Sequence, residues 1–376
     1  MRRIAISIAC TVLIFFVTGC GEEMPASLDG NGRLTFMVVD TTGLLPGGTP
    51  GVPMPVDSAE VRLKSRSHEF AVVGQTDDEG MVAFDGLVSG WYEVFARKEA
   101  VIENNEKLFT GGFDLTLKGY EEIDSTVTVN LISTSDLMIN EIFYAGSDAS
   151  SFYFYDQYVE LYNAAADTMY LDGMIITRQL QSAPADMDEV SFVRAIYAYQ
   201  FPGTPVTGRQ YPIAPGQFMV VAADAVNHTQ WCKLSIDLSH ADWEFFNPLS
   251  SDYDNPAVPN LVNINPASKV DYMINLVHGA VCLCTGAPES ITYGPDEEGN
   301  MRFYIEISSV VDGVEYASSS TSTKELTARV DAGFAGVGNT RYSQQSTERR
   351  VLGLDTNDSS FDFVITKSTP GYTHAQ

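Results

Sequence analysis

The chain is short of positive charge. Only 22 Lys and Arg stand against 49 Asp and Glu, for a net charge of -27 at pH 7. Affinity for nucleic acid is built on basic side chains that release counterions from phosphates, so this balance excludes a nucleic-acid partner. Anionic lipid headgroups are repelled for the same reason. Solubility of an exported surface accounts for the excess acid, a reading favoured over an acidic binding face. Histidine and cysteine are scarce as well, at 5 each. His68, His228, His240, His278 and His374 are scattered. The chain has no Gly-x-Ser-x-Gly turn to expose a nucleophilic serine. It has no His-Glu-x-x-His pair for zinc and no Gly-rich phosphate loop. With no nucleophile and base in view, the expectation is a protein that is not an enzyme and needs no cofactor. After the N-terminal region no apolar run is long enough to cross a bilayer.

The N-terminus itself is distinctive. Arg2 and Arg3 precede an almost wholly apolar run at residues 4–17. That run falls short of the roughly 20 residues a spanning helix needs. A basic start and a short apolar core mark a secretory signal peptide. The run ends in Val17-Thr18-Gly19-Cys20, which resembles the lipobox read by bacterial lipoprotein processing. The resemblance implies that residues 1–19 are removed and that Cys20 receives diacylglycerol and an N-acyl chain. At about 0.8 kcal/mol per buried methylene, several chains form a stable anchor where one would be marginal. Glu22 and Glu23 resemble the signal that sends some Gram-negative lipoproteins to the outer face of the outer membrane. The expectation is a lipid-anchored, surface-exposed outer-membrane protein, with residues 20–31 as a polar tether.

If Cys10 leaves with the signal and Cys20 is lipidated, Cys232, Cys282 and Cys284 remain. A bridge between Cys282 and Cys284 would be strained. Cys232 could pair with either in an oxidising compartment; the alternative is three buried thiols acting as small apolar residues.

Residues 33–40 read as a strand, residues 41–57 as a Gly/Pro-rich loop, and residues 59–64 as a half-buried strand in which Val61 and Leu63 alternate with Arg62 and Lys64. In residues 76–94, Asp78 to Gly80 form a tight turn and Val82 and Phe84 share one face. Gly86 and Gly90 bracket a second turn before Tyr92 and Val94, so the stretch reads as a hairpin. A closing strand at residues 125–132 precedes a hinge at Ser133-Thr134-Ser135. Residues 32–134 resemble the carboxypeptidase regulatory-like, transthyretin-like sandwich, a structural or adhesive module. Some relatives cross-link a first-strand lysine to a last-strand asparagine. Residues 33–40 hold no lysine, so Asn130 lacks an obvious partner.

The second half opens with Ile139-Asn140-Glu141-Ile142, followed by Val159-Glu160-Leu161-Tyr162-Asn163 and Pro215-Gly216-Gln217. Late in the chain come Val310-Val311-Asp312-Gly313-Val314 and Ser368-Thr369-Pro370-Gly371. Together these resemble the lamin tail domain and imply an immunoglobulin-like β-sandwich over residues 135–376. The fold class expected is therefore all-β, with two β-sandwich domains in tandem. Glu141 and Glu160 fall in adjacent predicted strands. Paired carboxylates can do acid–base work or bind calcium, but capping of backbone groups at strand ends is the preferred reading. Acidic loops at Asp186, Asp188 and Glu189 and at residues 296–298 lack the spacing of a dedicated calcium loop.

Residues at about 224–300 exceed what a compact sandwich needs and read as an insert that caps one end. This stretch holds Trp231, Trp243, His228, His240 and the three remaining cysteines. Long insertions are usually functional or disordered, and the aromatic content argues against disorder. Trp231, Trp243, His228 and His240 are the binding candidates; the His/Cys spacing matches no known metal pattern, so no metal is assigned. Residues 353–363 look like the C-terminal signature of the bacterial lipoprotein family called domain of unknown function 4876, which brings no activity with it. The function expected is a cell-surface, non-catalytic binding or assembly module, with an outer-membrane protein or a glycan as partner. Its rivals are a metal- or nutrient-capture accessory of an outer-membrane transporter and a hydrolase with its site in the insert.

Overall fold

The structure is a computed structural model that describes residues 30–65, 67–68, 70–102, 105–131, 137–148, 154–179, 191–250, 252–265 and 269–374. Cys20, the Ser133–Ser135 hinge and the Asp186, Asp188 and Glu189 loop lie outside these residues. The protein is all-β and has two β-sheet bodies. Among the described residues no helix is long and apolar enough to cross a membrane.

The first body is a curled sheet of 8 strands. Strand Gly32–Asp40 buries Leu34, Phe36 and Val38 completely while Thr35 and Met37 face outward, as period-two alternation requires. It runs parallel to Glu122–Leu131, from Arg33 beside Glu122 to Asp40 beside Val129. On its other side it pairs antiparallel with Met81–Leu87. A second group sets Gly90–Ile102 between Glu60–Ser65 and Asn105–Leu117. Among the described residues the two groups are paired where Phe109 meets Leu131 and Thr110 meets Asn130, so the sheet folds over on itself. Leu34, Phe36, Val61, Leu63, Phe84, Tyr92, Val94 and Phe109 fill the space inside.

The turn read at Asp78 to Gly80 is present, with Gly80 at φ +75° and its N–H donating to the Asp77 carbonyl at 3.0 Å. A left-handed residue at this point favours glycine. The hairpin reading of residues 76–94 needs correction. Met81–Leu87 pairs with Gly32–Asp40, and Gly90–Ile102 pairs elsewhere, so the short link between them crosses from one group of strands to the other. Both strands carry an inward apolar row. Facing each other across the core buries those rows as well as lying side by side would.

The second body has 13 strands. Leu137–Phe143 lies between Tyr158–Asn163 and Gln345–Arg349. From Tyr158–Asn163 the sheet continues through Phe218–Ala222, Trp243–Phe246, Asn260–Asn263, Phe192–Gln200, Ile175–Gln179 and His278–Cys284 to Val310–Ala317. Residues 224–300 are therefore not a cap added to a finished sandwich. They supply the strands Trp243–Phe246, Asn260–Asn263, His278–Cys284 and Ile291–Pro295. Trp243, Phe245, Leu261, Tyr272, Ile274 and Val281 sit in the main core. The core absorbs Trp243, Phe245 and Tyr272, while Trp231 and Tyr253 stay exposed.

The curled ends of this sheet meet at Arg349, which is 1% exposed. Its Nη2 donates to Asp312 Oδ2 at 2.8 Å, and its Nη1 lies 3.3 Å from Asp355 Oδ1 and 3.3 Å from Asp362 Oδ2. Its Nε donates to the Ile139 carbonyl at 2.9 Å. Asp312 in turn accepts the Ile139 N–H at 2.7 Å. One guanidinium thus ties two strands and the 354–362 segment together.

A second buried cation, Lys324, lies 3.0 Å from Glu315 and donates to the Gly333 carbonyl at 2.5 Å. This segment abuts the first body. The Gly333 N–H donates to Glu93 at 3.2 Å, and the Ala328 N–H donates to Asp114 at 3.0 Å. Arg62 spans the junction, 3.3 Å from Glu93 and 2.8 Å from Asp358. Phe95 packs on Ala328 and Ala332 beside these charges.

Removing one partner of a buried charge network leaves the others uncompensated and costs about 3–5 kcal/mol. Arg349→Met, close in volume but uncharged, is expected to destabilise the protein by about that much in urea unfolding. A midpoint indistinguishable from wild type would show that the network contributes nothing.

Candidate functional site

The four binding candidates separate in space. Trp243 is 5% exposed and meets Phe201 and Tyr211 edge-on, at 5.2 Å in each case; it is a core residue. His240 is exposed. His228 is buried, and its Nε2–H donates to the Asp224 carbonyl at 3.1 Å. Desolvation by burial lowers its pKa and favours neutral imidazole. Its ring lies 6.2 Å from that of Trp231. Trp231 is 51% exposed and meets Tyr253, 58% exposed, edge-on at 6.4 Å. Leu234 and Leu249, on the same two loops, are also exposed.

The disulfide left open between Cys232 and either partner is not formed. All three cysteines are free and buried. Cys282 and Cys284 face one apolar cluster with Ile175, Ala195 and Phe303, while Cys232 faces Asp148, 3.9 Å from its carboxylate.

Three aspartates form a feature that no sequence spacing revealed. Asp224, Asp252 and Asp271 each bring a carboxylate oxygen into a group whose members all lie within 4.8 Å of one another. Asp224 follows the end of strand Phe218–Ala222, Asp252 sits in the loop after Trp243–Phe246, and Asp271 precedes the core residue Tyr272. Asp252 Oδ2 accepts the Asn247 N–H at 2.6 Å, and Asp271 Oδ1 accepts the Tyr272 N–H at 2.6 Å. The Oδ1 atoms of Asp224 and Asp252 are buried with no donor. Glu244 adds its charge from the side, with both oxygens holding backbone N–H groups of Ala225 and Asn255. Desolvation, then repulsion from Asp252 and Asp271, pushes Asp224 up to about 9. Desolvation and the Asp252 charge push Asp271 up to about 8. The residues are far apart in the chain, and the fold alone assembles them.

Glu141 and Glu160 belong to a second acidic row. Glu160 pairs with Glu141 across neighbouring strands, and Glu141 pairs with Glu348 on its other side. All three are fully buried. The chain end covers them: the Thr369 N–H donates to Glu141 at 3.3 Å, the Gly371 N–H to Glu160 at 2.6 Å and the His374 N–H to Glu348 at 2.9 Å. Ser346 also donates to Glu141, and the Asn140 amide to Glu160 at 2.9 Å. The carboxylates do hold backbone groups, those of the terminal segment. Burial pushes Glu141 up to about 7, and burial plus the Glu141 charge pushes Glu160 up to about 8.

A groove of about 480 Å³ runs between the two bodies, lined by Phe95, Thr128, Asn130, Arg329 and Asn357 among others. Asn130 opens on this groove.

Residues 214–370 match the family model described as "Protein of unknown function (DUF4876)", which includes the C-terminal stretch that suggested that family. A crystal structure of a DUF4876 family protein from Bacteroides thetaiotaomicron VPI-5482 resembles the chain with a TM-score of 0.53 at 22% identity, covering 88% of this chain and 94% of that one. At that identity the likeness is one of fold. A Pseudomonas aeruginosa protein, PA1324, aligns at 13% identity over 27% of this chain and 91% of its own, with a TM-score of 0.21. The shaft pilin SpaA of Lactobacillus rhamnosus GG aligns at 8% identity over 73% of this chain and 93% of its own, again with a TM-score of 0.21. Neither of the last two shares enough of the arrangement to inform it. No curated protein matches the chain.

The glutamate row makes stability depend on pH. A carboxylate whose folded value is raised holds a proton that the unfolded chain has shed. Its contribution is complete below about pH 4.5 and is lost as pH rises through the folded values. With Glu141 at about 7 and Glu160 at about 8, the melting temperature is expected to fall between about pH 5 and pH 8.5, and Glu160→Gln to reduce that slope. A melting temperature that rises over this range, or a slope unchanged in the variant, would contradict the assignment.

Proposed function

We propose that this chain is an outer-membrane lipoprotein, held by lipid on Cys20 and facing outward, that serves as a non-catalytic binding or assembly module. In this reading the chain is a DUF4876 protein throughout. Residues 32–134 are a carboxypeptidase regulatory-like sandwich near the membrane. Residues 135–376 are an enlarged, immunoglobulin-like lamin tail sandwich that meets the partner. The lipid tether at residues 20–31 gives reach. The Arg62, Glu93 and Asp358 ion pairs stiffen the junction, so the pair acts as one spacer.

The observation that carries the reading is the Trp231–Tyr253 pair. Large aromatic rings are more often buried than left half in water. Two of them meeting edge-on at 6.4 Å, with Leu234 and Leu249 exposed on the same loops, make an apolar contact face on an otherwise acidic protein. Such faces are enriched in aromatic residues where proteins bind partners. Stacking on a sugar or packing on a protein loop are both within its chemistry.

Placement is tested on intact cells carrying a C-terminally tagged copy. Wild type is expected to sediment with membranes and to lose its tag to added protease, while Cys20→Ala is expected in the soluble fraction, since no other anchor is proposed. Membrane association that survives Cys20→Ala, or a tag protected until the outer membrane is broken, would overturn the proposal.

A further inference from the structure

We propose that Asp224, Asp252 and Asp271 form a binding site for one calcium ion, and that the ion fixes the loops that carry Trp231 and Tyr253. The ion site stands on its own geometry. The effect on the aromatic pair rests on the contact-face reading above.

The donor set is all oxygen, which suits a hard divalent cation and not zinc or copper. Calcium holds its ligands at about 2.3–2.6 Å, so two ligands of one ion are at most about 5 Å apart. The three carboxylates satisfy this, since their ligand oxygens all lie within 4.8 Å of one another. Magnesium demands a tighter, near-octahedral shell and gives up its waters reluctantly. Three carboxylates converging from separate loops are the more adaptable arrangement that calcium accepts.

Crowding of acids alone would not make a site. Two further features point to a ligand. Asp224 is 5% exposed, it brings one carboxylate oxygen into the cluster, and its Oδ1 is buried with no donor. The Tyr199 hydroxyl is also fully buried without a partner, and it lies within the field of Asp271 and Asp252. An unmet buried polar atom costs roughly 1–3 kcal/mol, and Asp224 and Asp252 carry one each. A dication supplies what they lack. The exposed group Asp77, Asp78 and Glu79 contrasts with this. Its Asp77 carboxylate is engaged by the turn's own N–H groups at 3.1 and 2.8 Å.

Two routes link the ion to the surface. Asp252 immediately precedes Tyr253. The Asp224 carbonyl holds His228, whose ring supports Trp231. Tyr253 is therefore adjacent to one ligand residue, and Trp231 is joined to another through His228.

The test uses the full chain stripped with a chelator and titrated with calcium chloride in a calorimeter. One ion per chain is expected, with a dissociation constant of about 1 mM or tighter, as in extracellular modules. Calcium is expected to raise the melting temperature and shift the tryptophan emission, with magnesium at least about tenfold weaker. Asp252→Asn is expected to abolish binding and the thermal shift, while Asp78→Asn leaves both as in wild type. If Asp252→Asn does not fold, the wild-type titration and the Asp78→Asn control still decide. No saturable heat and no thermal shift up to about 10 mM calcium would overturn the site, as would equal loss in Asp78→Asn. Binding with unchanged Trp231 emission and undiminished protease cleavage of the 247–254 loop would uphold the site and overturn its link to the aromatic pair.

Discussion

Arg349 is a guanidinium almost without water, and the second body closes around it. Its three aspartate partners come from strand Val310–Ala317 and from the 354–362 segment, and its Nε reaches strand Leu137–Phe143. The same constraint recurs through the molecule. A chain with a net charge of -27 that buries many carboxylates must give each one a cation, a proton or a set of N–H donors. Arg349 supplies the cation for Asp312, Asp355 and Asp362. Lys324 does so for Glu315 and Asp331. The terminal segment supplies N–H groups to Glu141, Glu160 and Glu348. Asp224 and Asp252 each keep one buried carboxylate oxygen without a donor, and the dication proposed above would offset the charge of that group.

Much of the fold was legible because strand alternation is a local signal. Leu34, Phe36 and Val38 point inward as their spacing requires, and Gly80 turns the chain where the acidic run before it suggested. Thr369-Pro370-Gly371, read only as a family signature, turns out to hold two of the N–H groups that meet the glutamate row. What was not legible is which strands pair. The link between Leu87 and Gly90 is short enough for a hairpin, yet the partner of Met81–Leu87 is Gly32–Asp40, chosen by burial of inward rows on both sides of a core. Local turn chemistry has no access to that choice.

The candidate site shows the same division. Trp231 and His228 were singled out from composition and do lie together, but Trp243 belongs to the core and His240 to open surface. The aspartates form no spaced motif, so nothing local in the sequence marks them. Three loops, each leaving a different strand, bring them to one point. The length of residues 224–300 reflects four strands woven into the main sheet and not an added cap. Trp231 and Tyr253 stand on loops that leave strands of the main sheet of the second body.

The claim at the centre of this account is that charge compensation, and not packing alone, holds the second body shut. A double-mutant cycle between Arg349 and Asp312 tests it most directly, using Arg349→Met, Asp312→Asn and both together in urea unfolding. The account predicts coupling of about 1–3 kcal/mol, with the double variant more stable than the sum of the single losses, because neutralising Asp312 relieves the charge that Arg349→Met leaves stranded. Strictly additive losses would contradict it and return the Arg349 site to ordinary packing.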